Sequence, residues 1–312
     1  MMLSEKIKQL SQDYFEEIKS YRRHIHQNPE LSFEEYKTAE FICSKLENFG
    51  IPYKKGIAKT GVVGIIEGNN PSKKIVALRA DMDALPITET NDIDYKSKNV
   101  GVMHACGHDV HTSSLIGAAK ILNTIKNDFE GTIKLIFQPS EEKSPGGANI
   151  MIQEGVLENP KVESILGQHV FTSVPVGKVA YCFGKMMAST DELYITIKGK
   201  GGHGAYPHDT KDPVMMAAQF LVSVQQIVSR NVNPVEPAVV TFGKIIGNGA
   251  PNIIPDEVYL EGTVRTFNED IRKIIIEQIH KIGNAICDAF GGKFILNHVE
   301  GYPTLFNDDA LT

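Results

Sequence analysis

The chain has 312 residues, enough for one large domain or two ordinary ones. Hydrophobic residues make up 42% and charged residues 22%, the balance of a soluble globular protein, and no apolar run approaches the roughly 20 residues of a membrane span. A net charge of −6 leaves no basic footprint for nucleic acid and no attraction to anionic lipid.

The first stretch, residues 1–19, is polar and of mixed charge, without the apolar core of a secretory signal. Apolar Ile7, Leu10, Tyr14, Phe15 and Ile18 predict a helix over residues 5–27, ended by Asn28-Pro29. A second helix is expected from Phe33 to Phe49, with Gly50 just past its end. Strands follow at Gly61–Glu67 and Lys74–Arg79, a helix after His108, a strand at Thr132–Phe137, a helix near Ala148–Glu154 and a strand at Ser164–His169. Helices alternating with apolar strands predict an α/β fold, a mostly parallel mixed sheet flanked by helices.

Near residue 180 the pattern changes. Asp191–Lys198 alternates like a half-exposed strand, and Asp212-Pro213 opens a helix whose expected apolar stripe is Val214, Ala218, Leu221, Val222 and Val228. Strands at Ala238–Ile246 and Glu257–Arg265 precede a helix capped by Asn268, with Ile271, Ile274, Ile275, Ile279, Ile282 and Ile286 on its buried side. Gly291-Gly292 stops it and Lys293–Val299 is a last strand. This βαββαβ order predicts a ferredoxin-like domain over 181–295, inserted into a first domain made of 1–180 plus 296–312.

The four cysteines are widely spread, which suits a reducing cytoplasm better than a disulfide framework. Cys43, Cys182 and Cys287 fall in amphipathic or strand-like runs and read as buried small hydrophobes. Cys106 differs, because the run His104-Ala105-Cys106-Gly107-His108-Asp109 places a thiol and an imidazole two positions apart, around a glycine, at an element junction. Glu141-Glu142 follows a strand, so neighbouring carboxylates there point in different directions, and one can bind a metal while its neighbour faces a substrate. Asp81-Met82-Asp83 and His169 also lie just beyond predicted strands, where ligands gather in a parallel sheet. Taken singly, these read as a solvated acidic turn, surface aspartates and a satisfied core histidine. Their convergence on one sheet edge favours a metal site and hydrolysis.

Beyond these individual residues, the whole chain resembles the amidohydrolase branch of the di-metal aminoacylase/carboxypeptidase superfamily. The resemblance is carried in order by Arg22-Arg23-His24-Ile25-His26, Pro29-Glu30-Leu31-Ser32, Leu78–Pro86, His104–His111, Phe137–Glu142, Gly167-Gln168-His169, Gly199–His203, Pro251–Pro255 and Gly262–Arg265. It implies Cys106, His108, Glu142 and His169 as ligands of two divalent metal ions, Zn²⁺ or Mn²⁺, with Co²⁺ or Ni²⁺ also accepted by such donors. It implies Glu141 as general base and Asp83 as the carboxylate supporting the site. His203 would donate to the developing oxyanion across a homodimer interface made by the inserted domain, and Asn252 and Arg265 would hold the substrate carboxylate. His24 and His26 carry no metal role. The implied reaction is hydrolysis of the amide bond of a small-molecule N-acyl amino acid; the alternatives are a dipeptidase or carboxypeptidase on the same ions, or a non-catalytic metal-binding protein. The family pattern also continues beyond position 312 with one more His ligand, and no His follows His298 here, so the resemblance implies a C-terminally truncated chain.

Overall fold

A computed structural model describes residues 2–312; Met1 lies outside the described residues. The chain divides into two compact units, the first ending at Val176 and the second opening at Gly177.

In the first unit the expected helix over 5–27 is two helices, α1 (Leu3–Asp13) and α2 (Phe15–Gln27), which meet at Tyr14. They are followed by α3 (Tyr36–Asn48), β1 (Tyr53–Ile57), β2 (Gly61–Glu67), β3 (Ile75–Asp81), α4 (His108–Thr124), β4 (Thr132–Gln138), α5 (Gly147–Gln153) and β5 (Ser164–Gly167). The strands form one sheet in the order β1-β2-β4-β3-β5. β3 runs parallel to both β4 and β5, while β1–β2 and β2–β4 are antiparallel, so the sheet is mixed in equal parts. Successive side chains of a strand face opposite sides. Leu135 and Phe137 of β4 therefore join the core under α2, α3 and α4, while Ile136 joins Met151 of α5 and Val156 on the other face. One position before Leu135, the buried Lys134 donates to the carbonyls of Val156, Glu158 and Pro160 at 2.9, 2.8 and 2.9 Å, so all three of its ammonium protons are engaged.

The second unit contains β6 (Gly184–Met187), β7 (Asp191–Lys198), β8 (Gly202–His203), α6 (Pro213–Ser223), β9 (Ala238–Ile246), β10 (Ile253–Ile254), β11 (Glu257–Thr266), α7 (Glu269–Phe290), β12 (Lys293–Glu300) and β13 (Leu305–Asn307). Its main sheet has the order β12-β7-β11-β9 with every pairing antiparallel, the ferredoxin-like arrangement expected of βαββαβ. Leu193, Ile195 and Ile197 of β7 pack under both helices. Asp212 caps α6, accepting from the Val214 and Met215 N–H groups, and Asn268 caps α7 in the same way.

Four further expectations change here. The buried side of α6 is Met216, Ala217 and Phe220, continued by Val224 and Ile227, whereas Val214 and Val222 are exposed. α6 is apolar almost all round, so helical period alone fits more than one face and packing on the sheet selects between them. Ile274 of α7 is likewise exposed, and Gly283 and Cys287 complete its buried line. Cys182 is exposed and outside any strand, unlike the buried Cys43 and Cys287. Residues 296–312 stay with the second unit rather than returning to the first, because β12 remains paired with β7 as far as Glu300 and β13 pairs with β6. Among the described residues no helix is long and apolar enough to cross a membrane.

Candidate functional site

The parallel trio β4-β3-β5 ends along one edge of the first unit's sheet. Asp81 closes β3 and Asp83 follows it, Glu141 and Glu142 follow β4, and His169 follows β5. Helix α4 starts at the same edge. Gly107, at φ +88°, makes the left-handed turn that lets Cys106 and His108 flank the helix start. The ligand atoms of Cys106, His108 and His169 lie within 4.8 Å of one another, as do those of His108, Glu141 and Glu142, and those of Asp81, His108 and His111. Cys106 Sγ stands 3.3 Å from His169 Nε2.

Hydrogen bonds decide which ring atoms are free. His108 Nδ1 donates to the Asp83 carbonyl at 2.9 Å and faces Asp83 Oδ1 at 3.2 Å. Its Nε2 is buried without a hydrogen-bond partner, 3.7 Å from Asp81 Oδ2 and 3.8 Å from Glu142 Oε1. His169 Nδ1 donates to the Val170 carbonyl at 2.6 Å, which turns Nε2 toward Cys106. Asp83 is buried, and its Oδ2 accepts from Ser32 Oγ at 2.6 Å and from the Glu142 N–H at 3.0 Å.

The electrostatics follow from burial and crowding. Burial pushes the Cys106 thiol up to about 12, and the Glu142 carboxylate adds to the shift. Burial also raises Glu141, with the charge of Glu142 as the next cause. Burial opposes charge on His108, yet the Asp83 bond and the Asp81 carboxylate lift it to about 9. Burial works against ionised Asp83 too, but the His108, Ser32 and Glu142 N–H bonds hold it below the usual carboxylate range. The edge therefore concentrates carboxylates around a protonated thiol and an imidazole nitrogen with no acceptor. A divalent cation fits this donor set: it would take the His108 Nε2 lone pair, deprotonate the thiol and offset the carboxylates.

Comparison with known proteins agrees. The profile of Peptidase family M20/M25/M40 matches residues 77–312. The chain is 42% identical over 308 residues to the N-acyl-L-amino acid amidohydrolase of Geobacillus stearothermophilus, covering 99% of this chain and 82% of that protein. The chain belongs to peptidase family M20/M25/M40. Over 299 residues it is 43% identical to the hippurate hydrolase of Campylobacter jejuni, covering 95% of this chain and 76% of that one. The crystal structure of the Bacillus subtilis YXEP protein, a dinuclear metal-binding peptidase from the M20 family, superposes with a TM-score of 0.80 at 35% identity, covering 95% of this chain and 77% of that chain.

Within this M20 chain, two polar groups at the site edge were not given roles from sequence. Asp81 binds Arg79 Nη1 at 2.8 Å and His111 Nδ1 at 2.7 Å, and these contacts hold it well below the usual carboxylate range despite its burial. The signal for His111 was its spacing of three from His108, which places both on one side of α4. His26 lies elsewhere, its Nδ1 2.9 Å from Asp109 Oδ2 and its Nε2 3.1 Å from Glu89 Oε1, and His24 stacks on Phe41.

The three expected substrate residues lie in the second unit. β8 and β10 pair His203 with Ile253, and the Gly204 N–H donates to the Asn252 carbonyl at 2.8 Å, so His203 and Asn252 are neighbours. Arg265 stands apart from them, near the far end of β11, donating to the Val264 carbonyl at 2.9 Å and to the Thr263 hydroxyl. The eight residue steps from Glu257 to Arg265 alone span about 26 Å of strand.

Proposed function

We propose that this chain hydrolyses the amide bond of small N-acyl amino acids, releasing a carboxylic acid and a free amino acid. The observation that carries the reading is the cluster of Cys106, His108, His169, Glu141 and Glu142 at the carboxyl edge of the sheet. The activities named for the Geobacillus and Campylobacter relatives support it.

Cys106, His108, Glu142 and His169 would hold two divalent ions, of which Zn²⁺ and Mn²⁺ suit the mixed sulfur, nitrogen and oxygen donors. When bound, such ions supply Lewis acidity, making water a better acid and an amide carbonyl a better electrophile. Glu141 removes the proton of the attacking water and hands it to the leaving amine nitrogen, so one carboxylate serves both steps. Its raised pKa brings it nearer to the working pH of such a shuttle. Asp83 orients His108 and is not itself a proton carrier.

The second unit is the lid and dimerisation domain in this reading. His203 donates to the developing oxyanion, while Asn252 and Arg265 hold the substrate carboxylate, Arg265 by parallel hydrogen bonds. The separation of Arg265 from His203 and Asn252 within one copy supports a homodimer in which two copies share each site. The four free cysteines support a reducing cytoplasm.

The test is release of free amino acid from hippurate and N-acetyl amino acids, compared with dipeptides, after loading with Zn²⁺, Mn²⁺, Co²⁺ or Ni²⁺. Turnover of the N-acyl amino acids above that of dipeptides is expected. Preference for dipeptides would replace this reading with a dipeptidase, and stoichiometric metal binding without any turnover would leave a non-catalytic metal-binding protein. For the shared site, His203→Ala and Arg265→Ala proteins are each expected to be inactive. Mixing them should restore about a quarter of the sites, since half the random dimers are mixed and each holds one intact pair. No recovery in verified mixed dimers would refute sharing.

A further inference from the structure

We propose that His111 is a positioning residue for His169, acting through the backbone of Val170. The inference rests on the reading of His169 as a metal ligand and names what holds it in place.

β5 is a four-residue strand at the edge of the sheet, ending at Gly167, so no strand pairing sets the position of residue 169. His169 is itself exposed. What fixes it is the Val170 main chain. The Val170 carbonyl accepts from His169 Nδ1 at 2.6 Å, and the Val170 N–H donates to His111 Nε2 at 2.8 Å. A backbone N–H can only donate, so His111 Nε2 carries no proton. The ring proton is therefore on Nδ1, which donates to Asp81 Oδ1 at 2.7 Å, while Asp81 Oδ2 is held by Arg79. Both nitrogens of His111 are thus committed, which removes it as a ligand although it lies in a candidate metal group with Asp81 and His108.

Packing supports the same path. His111 is 1% exposed on α4, and its ring lies 4.5 Å from that of His169, centroid to centroid, at 62°. The Val170 side chain rests on Gly107, where an added methyl would collide with it. A single residue, Val170, therefore ties His169 to the start of the helix that carries Cys106 and His108. The chain of contacts Arg79–Asp81–His111–Val170 orients the exposed ligand from the buried side.

The experiment compares two variants. In His111→Gln the side-chain oxygen can still accept from the Val170 N–H; in His111→Asn the shorter amide keeps Asp81 within reach but not Val170. Two readouts are needed: exchange of the Val170 amide in the metal-free protein, and Zn²⁺ or Mn²⁺ affinity by calorimetry. His111→Asn is expected to speed that exchange and weaken metal binding by about 10- to 100-fold, the range for loss of a group that supports a ligand, with His111→Gln close to wild type on both. Metal affinity of His111→Asn equal to wild type overturns the proposal and leaves the metal centre standing; no metal uptake by the wild type overturns both. Should His111→Asn not fold, ¹⁵N shifts of the metal-free wild type decide the matter, and an Nε2-protonated His111 refutes it.

Discussion

Asp83→Asn isolates how far a buried carboxylate supports the metal centre. Its Oδ1 faces His108 Nδ1 at 3.2 Å, and its Oδ2 accepts from Ser32 Oγ and the Glu142 N–H at 2.6 and 3.0 Å. All three partners are donors. An asparagine there must turn its NH₂ toward either His108 or the Ser32–Glu142 pair, losing at least one bond to a charged acceptor. Such bonds are worth about 1.5–3 kcal/mol, or roughly 10- to 150-fold in an equilibrium constant. The Asp83 carbonyl remains bonded to His108 at 2.9 Å and preserves part of the orientation, so the loss in metal affinity is expected at the lower end, about 10- to 30-fold. Ser32→Ala keeps the carboxylate and removes one neutral donor, so about fivefold is expected. Calorimetric titration with Mn²⁺ or Zn²⁺ at fixed pH measures both. An Asp83→Asn affinity within about twofold of wild type, or a larger loss from Ser32→Ala, would refute the reasoning.

Glu141→Gln should retain metal stoichiometry and lose turnover by about a hundredfold or more, because only the proton shuttle is removed; hippurate hydrolysis at near wild-type rate would take Glu141 out of the reaction. Metal binding should release protons. At pH 7.5 the metal-free protein holds a proton on Cys106, raised to about 12, and one on His108, raised to about 9, and both must leave when a cation takes those atoms. Calorimetry in buffers of different ionisation enthalpy should therefore show about two protons released, fewer as the pH climbs past 9, and a buffer-independent enthalpy would contradict the ligand set. In the second unit, Asp191 pairs with Arg272 Nε and Nη2 at 2.7 and 3.0 Å, with the aspartate 0% and the arginine 4% exposed. Asp191→Ala removes the two oxygens facing Nε and Nη2 but leaves Glu269 at 3.1 Å from Nη1, so it should cost about 3 kcal/mol in urea unfolding, less than about 1 kcal/mol being the result that sinks the claim.

Asp191 also holds a histidine. His298 lies inside β12 and hydrogen-bonds Asp191 at 2.6 Å, so its work is in the same buried ion pair and not at the metal cluster. Sequence pattern could not name its partner, 107 positions away.

The same division runs through the rest of the molecule. Local chemistry was legible along the chain: β2 and β7 have the expected bounds, and Asp212, Asn268 and Gly291 punctuate α6 and α7 as their capping chemistry requires. Thiol, imidazole and paired carboxylates at strand ends also stood out along the chain, and the fold brings the ligand atoms of Cys106, His108 and His169, and those of His108, Glu141 and Glu142, within 4.8 Å of one another. Tertiary structure alone decided which face of the apolar α6 is buried, that the first unit's sheet is half antiparallel, and that residues beyond 296 remain with the second unit. It alone decided the ring tautomers of His108, His111 and His169, because each is set by a single backbone or carboxylate contact. Periodicity and capping act over a few residues and are written in composition. Strand order, burial side and hydrogen-bond partner depend on which distant segments meet, and that is settled only when the core closes.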